Sequence, residues 1–269
     1  MYEIYGPQFS CITPLLKGAA YLSLPAIIHS TSQGRIWVDN PSNPDIALVW
    51  DSVNGFLFIL KKSIAYCNNS KINVFLKDTL IPLAKKSGYD KICVFLLYDQ
   101  TNTQLNELFT GFSFNTGLID HFQLRNNVNE LPITIPSTFN LVKIDDKLLN
   151  KNIVNIKEIK RCITACWPDV TEYFEEGVGY VLLKGDTAVS WCSTDYVVLN
   201  ACDIYVETFN GYKQKGFGTA VSLQCVKECL EKGYEVNWHC WHDNQGSIRI
   251  AEKIGFHKKG IQNVWSITL

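Results

Sequence analysis

Residues 212–225 read YKQKGFGTAVSLQC, and this junction decides how the C-terminal half of the chain folds. Ahead of it, ACDIYVET (201–208) alternates like a half-buried strand. Behind it, apolar residues at 221, 223, 226, 229 and 230 recur with a helical period, which predicts a helix over 219–230 closed by Gly233. A strand that hands over to a helix here leaves first-turn N–H groups unpaired at the positive end of a helix dipole. Gly216 and Gly218 carry no side chain to hold a phosphate away from them, and Lys213 and Lys215 add positive charge. A glycine pair alone is equally compatible with a structural turn. The pattern is not a P-loop, which needs GxxxxGK followed by Ser or Thr, and it lacks the third glycine of a dinucleotide fingerprint.

Working outward, 180–184 and 187–198 read as strands joined by a Gly185-Asp186 turn, and EVNWHCW (235–241) reads as another. Ser247 to Ile254 reads as a helix stopped by Gly255, and Val264 to Leu269 as a final strand. Upstream, Asn155 to Cys166 predicts an amphipathic helix and Val170 to Phe174 a shorter one. The segment NNVNELPITIPSTFN (126–140), rich in Asn and Pro, reads as a linker between domains at 1–125 and 141–269.

The N-terminal half repeats this order. SGYDKICVFLLYDQTNTQLNELFTGF (87–112) and KGYEVNWHCWHDNQGSIRIAEKIGF (232–256) share Gly-Tyr-acid, an apolar strand, an Asp in a polar turn, a short helix and Gly-Phe. The two halves therefore read as one fold used twice. The first copy has no glycine in CNNSKIN (67–73), and Pro82 is expected to break its helix at 74–86.

Composition narrows the classes. The chain has 269 residues, of which 46% are hydrophobic and 19% charged, and its net charge is −1. That is the balance of a globular protein without the basic footprint of a nucleic-acid or anionic-membrane binder. No apolar run reaches the roughly 20 residues of a membrane span, and MYEIYGPQFSCITPLL lacks the features of a secretion signal, so a cytoplasmic location is expected. Ten cysteines without a CxxC pair are expected to be buried free thiols, with no metal bound.

The glycine loop, the following helix, a Trp-containing strand and DNQGSIRIAEKIGF together resemble the GNAT superfamily of acyl-CoA-dependent N-acetyltransferases. That family's pyrophosphate loop reads Arg/Gln-x-x-Gly-x-Gly/Ala. Here it is Lys213-Gln214-Lys215-Gly216-Phe217-Gly218, with Lys in the first position. Its second signature corresponds to Asn244-Gln245-Gly246-Ser247 and Gly255-Phe256. The length and the degenerate first half are similar to a bacterial two-part subgroup that includes acetyltransferases of aminopolyol antibiotics.

The resemblance implies an α+β fold of two GNAT-like domains in tandem, each a twisted, largely antiparallel sheet flanked by helices. It implies acetyl-CoA as co-substrate and direct transfer to a primary amine of a small molecule or peptide. Residues 214 to 219 would hold the pyrophosphate through their N–H groups, with a contact from the Thr219 hydroxyl. Asn244 and Ser247 would flank the pantetheine arm, and the backbone near Val206 would position the thioester. Glu207 would take the amine proton, ahead of Asp195 and Asp203. The family's tyrosine acid falls in register with Ala251, which leaves the thiolate without that partner. The alternatives are another acyl or aminoacyl transferase of tandem type, and a non-catalytic acyl-CoA sensor. His239 and His242 are expected on opposite strand faces and so not to share a metal.

Overall fold

The computed structural model describes residues 1–16, 21–63, 69–98, 102–124, 127–131 and 135–269. Cys67 and part of segment 126–140 lie outside these residues. The chain begins with β1 (Tyr2–Ile4), a 3-10 helix (Gly6–Leu15) and α1 (Ser23–Ile28). The strands β2 (Gly34–Val38), β3 (Ile46–Asp51) and β4 (Phe56–Lys61) follow. Next come α2 (Asn69–Phe75), a π-helical turn (Leu76–Leu80), α3 (Ile81–Lys86), β5 (Lys91–Leu96), α4 (Asn102–Leu108) and β6 (Phe114–Leu124). The second half has β7 (Asn140–Lys143), α5 (Asp146–Leu149), α6 (Ile156–Cys166), α7 (Val170–Glu176), β8 (Gly179–Lys184), β9 (Thr187–Val198) and β10 (Ala201–Thr208). It closes with α8 (Phe217–Glu231), β11 (Glu235–Trp241), α9 (Gln245–Ile254) and β12 (Phe256–Thr268). This is the mixed α/β fold expected.

Two compact units form: Met1–Ile119 with Gln262–Leu269, and Asp120–Ile261. The division falls at Ile119/Asp120 and Ile261/Gln262, whereas the sequence reading placed it at 126–140. Around that segment Val128, Leu131, Ile135 and Phe139 pack on the core of the second unit, so these residues are part of its body. Apolar residues among the asparagines and prolines do this, and composition alone hid them.

In the first unit the strand order is β1-β2-β3-β4-β5-β12. The meander β2-β3-β4 is antiparallel, β4 and β5 are parallel, and residues 265–268 of β12 pair antiparallel with residues 91–94 of β5. Pro82 does not break the helix between β4 and β5, contrary to expectation. The helical path runs from Asn69 to Lys86, and Ile81 N–H bonds to Leu76 O, five residues back. Widening the turn ahead of Pro82 relieves the clash its ring would make with the carbonyl of an ordinary α-turn. Asn69, within CNNSKIN, is already helical. Asn69 is buried, accepting from Lys61 Nζ at 2.6 Å and donating to Gln104 O at 2.9 Å.

In the second unit the order is β6-β11-β10-β9-β8-β7. Again a meander, β8-β9-β10, leads through a helix to a parallel partner, β11. The helix α8 packs Val221, Cys225, Val226 and Cys229 onto Cys192, Cys202, Ile204, Val236 and Trp238 from the strands. Cysteine is a compact apolar filler at this seam, and the described cysteines are free thiols. Because strand side chains alternate, the residues that face α8 leave Asp203, Tyr205 and Glu207 of β10, and Asn237, His239 and Trp241 of β11, on the other face.

Candidate functional site

β10 and β11 pair at only three positions, Ala201↔Glu235, Cys202↔Val236 and Asp203↔Asn237, although both strands continue. Beyond Asp203 the strands part. On the other side of β10, the pairing with β9 shifts between Asp203 and Ile204, so Asp195 is left as an extra residue. A bulge increases local twist and bends the pairing, which aids the parting of β10 from β11.

A cleft of about 670 Å³ opens at the end of β10. Val206, Glu207 and Thr208 line it from the strand, and Tyr212, Lys213, Gln214, Gly216, Phe217, Gly218 and Thr219 from the loop and the start of α8. Asn244, Gly246, Ser247, Arg249, Ile250 and Lys253 complete it from α9. Of the residues expected to hold acetyl-CoA, only Lys215 is outside this lining; Asp195 and Asp203, the alternatives to Glu207, are outside it as well. Lys215 Nζ donates to Gly211 O at 2.9 Å and lies 5.5 Å from the Tyr212 ring centroid. Thr208, Tyr212, Gly246, Arg249, Ile250 and Lys253 were not anticipated. Arg249 and Lys253 are one helical turn apart, a spacing that places them on one face of α9.

The two glycines do different work. Gly216 has φ +80° and caps α8 in the left-handed conformation, with open space where a Cβ would stand. Gly218 instead permits close packing: a Cβ there would lie 3.0 Å from Ile250 Cδ1 and 3.2 Å from Thr208 Oγ1. Thr208 Oγ1 is also 2.8 Å from Ser190 Oγ. The first intrahelical bond of α8 is Ala220 N–H to Gly216 O at 3.0 Å, so the N–H groups of residues 217–219 have no partner within the helix. α8 therefore starts two residues earlier than its apolar period suggested, with the Phe217 ring packed on Phe139 at 4.7 Å. The start of α9 is equally well defined. Asn244 Oδ1 accepts from Ser247 N–H at 3.1 Å as an N-cap, and Trp238 Nε1 donates to Ser247 Oγ at 2.9 Å.

On the face away from α8, Glu207 stands opposite Trp191. Burial pushes the Cys162 thiol up to about 11; Arg161 opposes this, and Glu158, Asp195 and Glu207 add to it. The Tyr205 hydroxyl is raised too, first by burial and then by the Glu207 carboxylate. Carboxylates on α6, β9 and β10 thus converge on one face, and Glu158 is paired with Arg161 at 2.6 Å. The position of the family's tyrosine, Ala251, is fully buried.

His239 and His242 serve separate contacts, as their spacing suggested. His239 Nδ1 lies 3.4 Å from Asp203 Oδ1 and its Nε2 3.0 Å from His121 Nδ1, whereas His242 Nδ1 is 2.9 Å from Asp120. Burial would raise the Asp120 carboxyl, but Lys258 and His242 together hold it below its ordinary value. Among the described residues no group of three or more His, Cys, Asp or Glu could hold a metal ion. None of their helices is long and apolar enough to cross a membrane.

The chain matches the GNAT acetyltransferase family over residues 14–264 and belongs to it. A curated relative, the uncharacterized N-acetyltransferase YdfB of Bacillus subtilis (strain 168), is 29% identical over 90 residues. That match covers 34% of each protein, so it reaches only about a third of the relative's length. Among solved structures, the GCN5-related N-acetyltransferase-like protein of Streptococcus suis 89/1591 superposes with a TM-score of 0.73 at 18% identity, covering 97% of this chain and 98% of that one. A tandem GNAT protein from the clavulanic acid biosynthesis pathway, described as without AcCoA, gives 0.60 at 12% identity, covering 97% and 93%. At these identities the structural matches establish the fold. The family implies acyl transfer from an acyl-CoA.

Proposed function

We propose that the second unit transfers an acetyl group from acetyl-CoA, a substrate, to a primary amine of a small molecule or peptide in a ternary complex. One observation carries this reading: a helix start with free N–H groups lines a cleft at the end of β10, past the point where its pairing with β11 stops. Phosphate oxygens suit the N–H groups of residues 214–219 and the Thr219 hydroxyl, beside Lys213, Arg249 and Lys253. These last two cations offset the loss of a bidentate Arg at position 213. Lys215 contributes charge from outside the cleft wall. The pantetheine arm runs along the gap past Asn244 and Ser247, using β10 as a strand edge, and the backbone at Val206 orients the thioester carbonyl.

Glu207 then accepts a proton from the ammonium group, since only the neutral amine attacks. The carboxylates of Asp195 and Glu207 on that face favour a cationic acceptor. The division of labour is one active unit and one supporting unit, within the reducing cytoplasm that the free thiols suit. The test is an amine screen with acetyl-CoA, read as free thiol release, followed by Glu207→Gln on the best acceptor. Loss of turnover by about 10²–10⁴-fold with unchanged coenzyme A affinity supports the assignment. Near-normal turnover in the variant passes the role to Asp195 or Asp203.

A further inference from the structure

Three basic side chains line the cleft: Lys213 from the loop, and Arg249 and Lys253 from α9. All three are exposed, and among the described residues none has a side-chain hydrogen bond or an ion pair. Glu207, on β10, is the one carboxylate among the described lining residues. Cations gathered on one wall without counter-ions suit an anion that carries several charges. The loop is an anion cradle in its own right. Gln214 and Gly216 take left-handed backbone at φ +62° and +80°, a curl that turns N–H groups to one side. The N–H groups of residues 217–219 follow, unpaired within α8. With Lys213 beside it, this cradle answers the paired charges of a pyrophosphate, and the cations of α9 remain.

The lining residues of α9 form a scale along the cleft. Ser247 lies in the first turn of the helix. Ile250 stands level with the cradle, because a Cβ on Gly218 would lie 3.0 Å from its Cδ1. Lys253 is three residues further, about 4.5 Å along the helix axis and on the same face. Coenzyme A presents its groups in a fixed order: thioester, pantetheine, pyrophosphate, then the ribose with its 3′-phosphate. With pantetheine at Asn244 and Ser247 and the pyrophosphate at Gly218, the next group along α9 is the 3′-phosphate, and the next cation is Lys253. A phosphate monoester carries a charge of about −1.5 to −2 at pH 7, which calls for more than one cation. Arg249, one turn before Lys253, supplies the other. We infer that Lys253, with Arg249, binds the 3′-phosphate of the acyl donor and makes the chain selective for a free coenzyme A thioester. This rests on the acetyl-CoA reading above and names the form of donor that the site takes. A pantetheine arm ending in a single phosphate on a carrier protein, or a donor without the 3′-phosphate, leaves Lys253 unanswered.

Calorimetry on the full chain with coenzyme A and with 3′-dephospho-coenzyme A tests this. Wild type should bind coenzyme A about tenfold or more tightly than the dephospho form, the scale of a charge-assisted hydrogen bond. That preference should shrink in high salt. Lys253→Ala should weaken coenzyme A, leave the dephospho form within about twofold of wild type, and so remove most of the preference. Lys253→Glu should reverse it. Lys253 is exposed, so neither replacement removes packing. A wild type that binds both ligands equally overturns the inference and leaves the acetyl-CoA reading standing. A Lys253→Ala variant that weakens both ligands alike also overturns it, by placing Lys253 at the pyrophosphate. A wild type that binds neither ligand overturns both.

Discussion

Trp238 donates its indole N–H to Ser247 Oγ at 2.9 Å, and this contact fastens the start of α9 to the floor provided by β11. The Trp238 side chain is almost wholly buried, so its donor has little access to water. Ser247→Ala should therefore cost about 1–3 kcal/mol of stability, the penalty for stranding a buried donor. Urea denaturation would measure it. The same variant should weaken acetyl-CoA binding, because the hydroxyl lines the cleft.

Gly218 and Ile250 make a coupled pair. Gly218→Ala places a methyl 3.0 Å from Ile250 Cδ1, closer than ordinary contact, and should destabilise by about 1–3 kcal/mol. Ile250→Val removes that carbon, so the double variant should recover part of the loss. A thermal double-mutant cycle reads the coupling, and strict additivity would show that the clash is not with Ile250. At Gly216 no such rescue is expected. There is open space there, but φ is +80°, so Ala meets backbone strain of roughly 1–2 kcal/mol.

Arg249 and Lys253 should matter to the phosphate end of acetyl-CoA and not to the transfer step. Arg249→Ala is expected to weaken binding about tenfold or more, the scale of a charge-assisted hydrogen bond, with kcat nearly unchanged at saturation. The effect should shrink in high salt. Calorimetry at two ionic strengths checks both statements.

His121 gives the second unit a pH dependence with a definite sign. Its pKa is about 4 in the folded chain, against 6.5 ordinarily, because burial and His239 disfavour the charged ring. Below pH 6.5 the unfolded chain binds a proton that the folded chain refuses, so stability falls as the pH drops from 6.5 toward 4. The full difference is roughly 3 kcal/mol. His239, Asp203 and Asp120 face the ring and share in the effect. Urea denaturation between pH 7 and 4.5 should show this slope in wild type and a smaller one in His121→Gln.

Coenzyme A should bind with a stoichiometry of one per chain. In the first unit the helix after β4 contains Asn69, whose buried side chain is bonded to the Lys61 ammonium, and the stretch CNNSKIN carries no glycine. Calorimetry giving two sites would refute the assignment of a single binding unit.

Much of this site was legible because its parts are local in sequence. Gly216, Gly218, Asn244 and Ser247 sit at the ends of elements, where turn and cap chemistry leaves a direct mark. Arg249 and Lys253 were recoverable from the helical period of α9, which sets them one turn apart, but nothing local marks them as facing a ligand. The contacts of His239 with Asp203 and His121 were not legible. His121 lies 118 residues from His239, and only the sheet order brings them together. Pro82 misled for a related reason: its cost depends on the helical turn before it, and a π-turn absorbs that cost. The polar segment at 126–140 misled through composition, which does not show where Val128, Leu131, Ile135 and Phe139 pack.

The last strand of the chain completes the sheet of the first unit, and this orders events during synthesis. Residues 91–94 of β5 emerge early, but their partners at 265–268 are made some 170 residues later. The first unit thus begins folding first and finishes last. Until then the free edge of β5 can pair wrongly, with another copy of the chain or with a stray strand. A chain released at residue 261 would carry the whole of the second unit and a first unit still awaiting its edge. A fragment cut at 141 would in turn lack β6, and His121 with it.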